Sequence, residues 1–473
     1  MAARLSHVEW IRTPGDDGWR RLRLWWSTRA TARCSGDLLS VRRLLGPWAA
    51  TALVVAEVVG VGILLTPAAM MRALGGIVAP MMLWLVMGAL TAAGALCYAE
   101  LSTRFPQAGG TYVFLRHGFG RRTAFAYGWM AMLVMDPGLT AALAIGTAKY
   151  LLAAAGAASR FEVPVAIAVI VVLAAVALRG LASGAVLLRW SAMIKLGMVA
   201  LLVVAGIAKA VGGATPMPAV ATSAVSMPAL AGAVVAAFFA FGGWWDLGRL
   251  SEEVERPERS LPIAMIAGVG LVALIYVLVT FTLLLAAPPG SATSDDAFVA
   301  AAGAALFGQR AGRWLAVMVT LAVSGSLFAV LLGAPRISVA MARDGLLPSG
   351  VAWFDETRGR PVPGTILQAV LAIVLVLIGS FDQILGYFVP AAVFFLGLSA
   401  ATLFRLDRRH SAASIFRVPL FPLPLVLFLT LIVVMLVLFA AGQPTQTSLG
   451  AAVVLLGWIA GRWTDGTSEE ISD

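Results

Sequence analysis

The sequence is a succession of long apolar stretches, nearly free of charged residues, that recur from residue 48 to residue 462. Each stretch is close to or above the roughly 18 to 20 residues that a helix needs to cross a bilayer. Hydrophobic residues make up 60% of the chain and charged residues only 12%, whereas a soluble domain carries about 25% charged residues. So few charges cannot cover a surface that faces water. The sequence therefore predicts an all-α integral membrane protein.

Charged residues, Pro/Gly clusters and interfacial aromatic residues divide the chain into twelve predicted transmembrane helices, TM1 to TM12. The predicted spans are 48–72, 77–103, 122–152, 163–179, 186–209, 228–250, 261–287, 312–342, 362–380, 383–404, 418–440 and 446–462. A basic tail, 1–47, precedes them and a short tail, 463–473, follows them.

The distribution of Lys and Arg predicts the orientation of the spans. With the N-terminus in the cytoplasm, 27 of the 34 Lys and Arg residues flank the inner ends of the spans, 6 flank the outer ends, and Lys195 lies within TM5. Positive residues concentrate on the cytoplasmic side of membrane proteins. The sequence therefore predicts a multi-pass protein of the cell membrane with both termini inside.

The N-terminal tail holds nine arginines together with Trp10, Trp19, Trp25 and Trp26. It lacks the apolar region and the small-residue cleavage site of a signal peptide. A mixture of arginine and tryptophan next to a span either lies on anionic lipid as an interfacial helix or forms a solvated tail. The sequence leaves the function of the tail open.

Two spans contain glycines that predict a break in the helix. TM1 contains Gly60-Val61-Gly62 near its middle, and TM6 contains Gly242-Gly243. Glycine also allows close packing in membrane helices, so one such site by itself says little. Glycine-broken helices at matching places in two halves, however, indicate a transporter built from an inverted repeat. Because TM1 and TM6 are five spans apart, the sequence predicts one repeat in 48–211, a second in 228–404, and two additional helices in 418–462.

Five motifs, in order and at compatible spacing between residues 45 and 440, resemble those of the amino acid–polyamine–organocation (APC) superfamily. They are Glu57-Val58-Val59-Gly60-Val61-Gly62-Ile63 with Thr66-Pro67; Ala99-Glu100-Leu101 through Gly109-Gly110-Thr111-Tyr112-Val113; Phe241-Gly242-Gly243-Trp244 with Glu252-Glu253-Val254; Pro335-Arg336 through Asp344-Gly345-Leu346-Leu347-Pro348; and Phe416-Arg417-Val418-Pro419. The Gly-Gly-Trp and Arg-Asp-Gly-Leu-Leu-Pro elements are most similar to the branch of the L-type amino acid transporters and their bacterial relatives. The resemblance implies a LeuT-type fold with a five-plus-five inverted repeat. It also implies secondary active transport of an amino acid by alternating access.

The resemblance places the substrate carboxylate at the break in TM1. Backbone N–H groups are freed at Gly60, Val61, Gly62 and Ile63, where the second half of the helix begins and its dipole favours an anion. Many relatives carry serine between the two glycines, whereas this chain carries Val61. A side-chain hydroxyl is therefore lost while the backbone donors remain.

The resemblance places the substrate ammonium at the break in TM6. Backbone carbonyls of Phe241, Gly242 and Gly243 would accept its hydrogen bonds, and the aromatic side chains of Phe241 and Trp244 would close over the substrate. The alternative is that both aromatic side chains pack between helices or face lipid.

Three ionisable residues, Glu57, Asp136 and Lys195, are predicted to lie deep inside spans, where a charge is costly and indicates a function. Lys195 resembles a lysine that, in proton-coupled or ion-independent relatives, places its ammonium where sodium-coupled relatives bind sodium. The resemblance implies bonds from this ammonium to carbonyls at the TM1 break and to the hydroxyl of Ser324 or Ser326 in TM8. Lys195 either loads and releases a proton during transport or is a fixed cation in an exchanger.

The two acidic residues among these three leave several roles open. Asp136 lies 14 residues into the predicted TM3, near the midplane of the bilayer. It contacts a substrate amine, accepts a coupling proton or pairs with Lys195. Glu57 lies one turn before the TM1 break, where it takes part in coupling or stabilises the inner half of the helix.

Charged residues at the inner ends of the spans are predicted to pair or to form a gate. Glu100 and Arg104 are four residues apart at the end of TM2, which predicts an interfacial ion pair. Other charges group at the inner mouths of TM6 and TM8, which suits an inner gate or simple positive-inside anchoring. These residues are Glu252, Glu253, Arg259, Arg336, Arg343 and Asp344.

Other functions fit the sequence less well. The three histidines, His7, His117 and His410, lie outside the predicted spans, and the sequence contains no metal-binding, nucleophile or cofactor motif, which argues against a membrane enzyme. A channel would need a repeated pore-lining ring or a filter sequence. Within transport, the alternatives are a carrier of polyamines or other organic cations that uses Asp136, and an obligate exchanger. The outward loop 153–162 contains no cysteine, so no disulfide-linked heavy chain is expected; the expected partners are an amino acid or related amine, the lipid bilayer and, in a coupled carrier, protons.

Overall fold

The computed structural model of the protein describes residues 45–76, 78–107, 109–179, 181–212, 226–286, 298–347, 361–406 and 416–464. The predictions for the N-terminal tail up to residue 44 and for the C-terminal residues 465–473 lie outside the described residues. Within them, the chain is almost entirely helical. The predicted all-α class is therefore confirmed.

The described helices match the twelve predicted spans. Nine of them are long and apolar enough to cross a membrane, and three shorter apolar helices lie at the positions of TM1, TM9 and TM12. The helices are TM1a (Pro47–Val58), TM1b (Val61–Leu74), TM2 (Val78–Arg104), TM3 (Arg121–Met130, Ala131–Met135 and Asp136–Ala155), TM4 (Glu162–Ala177), TM5 (Leu181–Val211), TM6a (Met227–Ala240), TM6b (Trp244–Glu253), TM7 (Pro257–Ala286), TM8 (Gln309–Gly333 and Arg336–Arg343), TM9 (Val362–Ile378), TM10 (Phe381–Ala401), TM11 (Leu423–Gly442) and TM12 (Pro444–Ala460).

TM1 and TM6 are broken at the predicted glycines. Gly60, between TM1a and TM1b, has a non-helical backbone with φ −126° and ψ −147°. Gly243, just before TM6b, has φ +110°, a conformation in which a side chain would be strained. TM6b then winds as a 3₁₀-helix instead of continuing the α-helix. Both breaks therefore expose backbone groups that an unbroken helix would have used internally.

Several irregular segments were not predicted. TM3 contains a π-helical turn, Ala131–Met135, immediately before Asp136, and such turns are frequent at functional sites. Two short helices lie in segments predicted as loops, Thr111–Phe119 between TM2 and TM3 and Phe298–Phe307 between TM7 and TM8. We refer to them as the 2–3 loop helix and the 7–8 loop helix.

The helices pack in two groups that bring the breaks together. TM7 packs against TM1a and TM2, and TM1b packs against TM6a. TM3 packs against TM4, TM8 and TM9, while TM5 packs against both TM7 and TM8. TM10, TM11 and TM12 contact one another, and TM11 also covers TM2. TM1 therefore lies between TM7 on one side and TM5 with TM8 on the other, while TM6 packs against TM1 and TM2.

Polar contacts join several spans at their predicted inner ends. The backbone N–H of Glu255, after TM6b, donates to the carbonyl of Leu45, before TM1a, over 2.9 Å. The predicted pair of Glu100 and Arg104 is present at 2.8 Å and is buried, and Glu100 also accepts a hydrogen bond of 2.8 Å from the backbone N–H of Val418. This second bond fixes the end of TM2 to the chain that enters TM11.

Candidate functional site

The two helix breaks touch each other and are bridged by a tyrosine of TM7. A Cβ added to Gly62 would lie 2.5 Å from the Cα of Ala240, so only glycine allows this approach. The hydroxyl of Tyr276 lies 2.8 Å from the carbonyl oxygen of Val58 and 2.6 Å from that of Ala240, and its proton is donated to these two acceptors. Both carbonyls end a half-helix and have no partner within it. Tyr276 therefore holds the ends of TM1a and TM6a side by side.

The start of TM1b offers hydrogen-bond donors. No side chain caps this end of the helix, and the first N–H groups of any helix lack an intrahelical acceptor. These groups include the predicted donors Val61, Gly62 and Ile63, while the side chain of Val61 lies outside the described part of the structure. A free helix N-terminus with an uncapped first turn suits a carboxylate.

The break in TM6 offers hydrogen-bond acceptors. The carbonyl of Gly243 accepts a bond of 2.9 Å from the backbone N–H of Asp246. Within the residues that the structure describes, the carbonyls of Phe241 and Gly242 accept no hydrogen bond. They are the acceptors open to an ammonium group at this break.

The aromatic ring of Phe241 packs into the protein. Its side chain is 1% exposed, and its ring lies 5.8 Å from that of Trp84 and 5.2 Å from that of Tyr276, measured between centroids. Trp84 is itself fixed by a bond of 2.9 Å from its Nε1 to the hydroxyl of Thr280. In this structure the ring of Phe241 packs between helices, which is the alternative considered from the sequence. Closure of the ring over a substrate stays a prediction.

Trp244 is also buried and anchors TM6b. Its ring makes edge contacts with Tyr98 at 5.1 Å, Trp245 at 5.6 Å and Phe428 at 6.2 Å. These residues belong to TM2, TM6b and TM11. Packing is therefore what the structure shows for Trp244, and a direct substrate contact stays a prediction.

Lys195 joins TM5 to the TM1 break and to TM8. Its ammonium donates to the carbonyl oxygen of Ala56 over 3.1 Å and to the hydroxyl of Ser326 over 2.6 Å. Of the two serines proposed from the sequence, Ser326 supplies this contact, and Ser324 makes no hydrogen bond to Lys195 in the described residues. The predicted role of these residues in coupling stays a prediction.

A charged cluster that the sequence did not predict lies on TM6b. Asp246 and Arg249 form an ion pair of 2.9 Å, and Arg249 also donates to the hydroxyl of Tyr127 in TM3 over 3.3 Å. Glu57 lies next to the TM6 break, since a Cβ on Gly243 would come within 3.2 Å of its Cγ. Glu57 is exposed, and its role in coupling or in stabilising TM1a stays a prediction.

Asp136 is a buried acidic residue of TM3. It is only 4% exposed, and no hydrogen bond to its carboxylate is present among the described residues. Within the residues that the structure describes, Lys195 bonds Ala56 and Ser326 and forms no ion pair with Asp136. The predicted contact of Asp136 with a substrate amine or a coupling proton stays a prediction.

Asp344, one of the predicted gate residues, holds the 2–3 loop helix at the end of TM8. Its carboxylate accepts bonds from the hydroxyl of Tyr112 at 2.6 Å and from Arg116 at 2.7 Å, and its carbonyl accepts one from Arg121 at 2.9 Å. Burial, together with the hydrogen bond to Asp344, raises the pKa of Tyr112 well above its usual value. The side chains of Glu252, Glu253 and Arg343 lie outside the described part of the structure.

The sequence matches the model of a known protein family. The family model described as "Amino acid permease" matches residues 45–460. The chain belongs to the amino acid permease family. The twelve-span fold with broken TM1 and TM6 is the fold that this membership implies.

Curated relatives of the permease are transporters and not enzymes. The human cystine/glutamate transporter is 28% identical over 425 residues, covering 86% of this chain and 82% of the relative. The serine/threonine exchanger SteT of Bacillus subtilis is 26% identical over 386 residues, covering 81% and 87%. The large neutral amino acids transporter small subunit 2 of mouse is 26% identical over 447 residues, covering 91% and 82%. The permease is thus a multi-pass membrane protein that moves amino acids.

Proposed function

We propose that the permease binds its amino acid between the two helix breaks and carries it by alternating access. The carboxylate of the substrate accepts hydrogen bonds from the start of TM1b, and the ammonium donates to the carbonyls of Phe241 and Gly242. The observation that supports this most strongly is the bridge from Tyr276, because it holds a set of free donors beside a set of free acceptors. A zwitterion at the bilayer midplane needs both sets to replace its lost water.

Movement of TM1, TM2, TM6 and TM7 relative to TM3 and TM8 would open the site to either side in turn. Among the described residues, two polar links cross between these groups. One runs from Lys195 to Ala56 and Ser326, and the other runs from Arg249 to Tyr127. Each link involves one of the broken helices, so each must change when the site opens.

The mode of transport is proposed to be exchange of one amino acid for another. One of the relatives is named an exchanger, and the two bonds of the Lys195 ammonium suit a fixed cation. The permease is further proposed to lie in the cell membrane with both termini inside, because 27 Lys and Arg residues flank the inner ends of the predicted spans and 6 flank the outer ends. The inverted repeats are proposed to be 48–211 and 228–404.

Proteoliposomes loaded with an unlabelled amino acid test this proposal. Labelled amino acids are added outside, with and without an imposed inward proton gradient. We expect saturable uptake that depends on the internal amino acid and not on the proton gradient. Uptake into empty vesicles driven by the gradient would show a proton-coupled carrier instead, and an absence of saturable flux for every amino acid would contradict the proposed function.

A further inference from the structure

Two arginine side chains lie against one tryptophan ring where TM3 begins and TM12 ends. The guanidinium carbon of Arg122 is 3.4 Å from the centroid of the Trp458 ring, and that of Arg462 is 5.5 Å from the same centroid. Arg122 also donates from its Nε to the carbonyl oxygen of Trp458 over 2.8 Å. A Cβ added to Gly461 would come within 3.1 Å of the Cγ of Arg122, so a larger residue would crowd this side chain. Two positive charges are therefore held at one indole ring.

A third arginine has a similar arrangement at the end of TM10. The guanidinium carbon of Arg405 is 4.3 Å from the centroid of the Phe119 ring, and its Nη1 donates to the carbonyl oxygen of Gly118 over 3.3 Å. Phe119 ends the 2–3 loop helix and precedes Arg122 by three residues, a stretch of chain that spans at most about 11 Å. Arg122, Arg405 and Arg462 therefore form one group, which we call the basic cluster.

No acid neutralises the basic cluster within the part of the chain that the structure describes. Its three arginines form no ion pair there, and their contacts are with backbone carbonyls and aromatic rings. Asp344, the acid that fixes the neighbouring 2–3 loop helix, accepts its bonds from Tyr112 and Arg116. The charge of the cluster is therefore available to an anion from outside the described chain.

The basic cluster lies where the apolar surface of TM12 ends. Leu455 and Leu456 are 60% and 59% exposed, and Trp458 after them is 41% exposed. Exposed apolar side chains of a membrane-spanning helix face the lipid tails, and tryptophan concentrates at the level of the head groups. Arg405 and Arg462 are exposed. An anion bound by the cluster therefore lies at the level of the lipid head groups.

We infer that the basic cluster binds the phosphate of an anionic phospholipid, and that this lipid stabilises the packing of TM10 and TM12 against the start of TM3. Arginine matches phosphate oxygens with its fork of N–H groups, and a ring under the guanidinium plane holds that fork in place. The exposed side chains of Arg405 and Arg462 reach the phosphate, while Arg122 adds its charge. On the predicted orientation the cluster faces the cytoplasmic leaflet, where anionic lipids attract basic residues.

The alternative occupant is the acidic C-terminal segment 465–473, which follows Arg462 closely and contains four acidic and no basic residues. It complements the charge of the cluster as a lipid does. A lipid also covers the exposed leucines beside the cluster with its acyl chains, whereas the segment contains a single large apolar residue, Ile471. The position at the edge of an apolar surface therefore favours the lipid.

Thermal stability of the purified full-length permease in a neutral detergent tests the inference. The melting temperature is measured while phosphatidylglycerol, phosphatidylcholine or glycerol 3-phosphate is added. We expect phosphatidylglycerol alone to raise it saturably, and about 0.5 M sodium chloride to weaken the effect, since salt screens exposed charges. An equal rise with phosphatidylcholine would show that charge is not recognised, and an equal rise with glycerol 3-phosphate would show a site for a free phosphate. Either result would overturn the inference.

Substitutions then locate the site. Arg405→Gln and Arg462→Gln should each weaken the apparent affinity for phosphatidylglycerol about fivefold, the contribution of one basic residue to binding at an anionic lipid surface. Arg462→Lys keeps the charge and should retain most of the affinity. Arg160→Gln is the matched control, because Arg160 is exposed and lies over the ring of Phe161 at 4.9 Å, but at the predicted outer end of the molecule. It should leave the affinity unchanged.

Two further results would refute the role of the basic cluster. Equal losses of affinity in Arg462→Gln and Arg160→Gln would show attraction to the whole charged surface. An effect of phosphatidylglycerol that appears only after removal of residues 465–473 would show that this segment occupies the cluster in the full-length protein. Because lipid binding is measured here without transport, neither result bears on the proposed exchange of amino acids.

Discussion

Tyr276→Phe removes the hydroxyl that bridges the two helix breaks and keeps the ring that contacts Trp84 and Phe241. The hydroxyl has one proton for the carbonyls of Val58 and Ala240, so the loss amounts to one buried hydrogen bond. An unsatisfied buried acceptor costs about 1 to 3 kcal/mol, which corresponds to a change of about 5-fold to 150-fold.

We expect the loss of the hydroxyl to lower kcat/KM for transport, because the hydroxyl positions the donors of TM1b beside the acceptors of TM6. The assay is kcat/KM for exchange in proteoliposomes, with thermal stability of the purified variant measured by fluorescence-detected size exclusion. Thr430→Val is the control, since the Thr430 hydroxyl is exposed and bonds only the carbonyl of Val426 in its own helix at 2.9 Å. A Tyr276→Phe variant with kcat/KM within twofold of the unaltered protein and with an unchanged melting temperature would refute the reasoning.

Three further predictions follow from the same geometry. Gly62→Ala should destabilise the protein by about 1 to 3 kcal/mol through overpacking, as measured by thermal denaturation, whereas Gly60→Ala should not, since the nearest atom to its new Cβ is 3.7 Å away. Lys195→Ala should lower kcat/KM for exchange about 10-fold to 150-fold, since a hydrogen bond to a charged group contributes about 1.5 to 3 kcal/mol; an unchanged rate would contradict the link between TM5 and TM1. The raised pKa of Tyr112 keeps its phenol protonated to a pH above its usual pKa of 10.0, so its bond to Asp344 is present throughout neutral pH and is lost only in strong alkali. The effect of Tyr112→Phe on the exchange rate should therefore be the same at pH 6 and pH 9, and a change between these values would count against this bond.

The sequence was sufficient to predict the spans and the places of the two breaks. Two glycine-containing sites in apolar spans, five spans apart, predict two broken helices. Gly60 and Gly243 lie at the observed breaks. Lys195 was found because a charge inside an apolar span is costly and therefore conspicuous. The residues that a single local rule identifies were thus predictable.

The rest depends on contacts between distant segments. Tyr276 is an aromatic residue in an apolar helix, and its sequence neighbours do not distinguish it from a tyrosine that faces lipid. Asp246 and Arg249 lie in the last five residues of the predicted TM6, 228–250, and were not predicted to pair. Their spacing of three residues, i to i+3, was the one available signal for an ion pair in a helix.

The packing of Phe241 could not be predicted for a related reason. A family resemblance implies which face of a broken helix meets a substrate, but the position of a ring depends on its neighbours. Here Trp84 of TM2 and Tyr276 of TM7 enclose the ring. Those neighbours lie far from Phe241 in sequence.

The most direct test of the account is the structure of the purified permease, determined by electron cryo-microscopy in lipid nanodiscs, with its best-transported amino acid bound. We expect the substrate carboxylate within hydrogen-bonding distance of the N–H groups at Gly62 and Ile63, and the ammonium at the carbonyls of Phe241 and Gly242. A saturating amino acid bound away from both breaks, with these backbone groups still unoccupied, would contradict it.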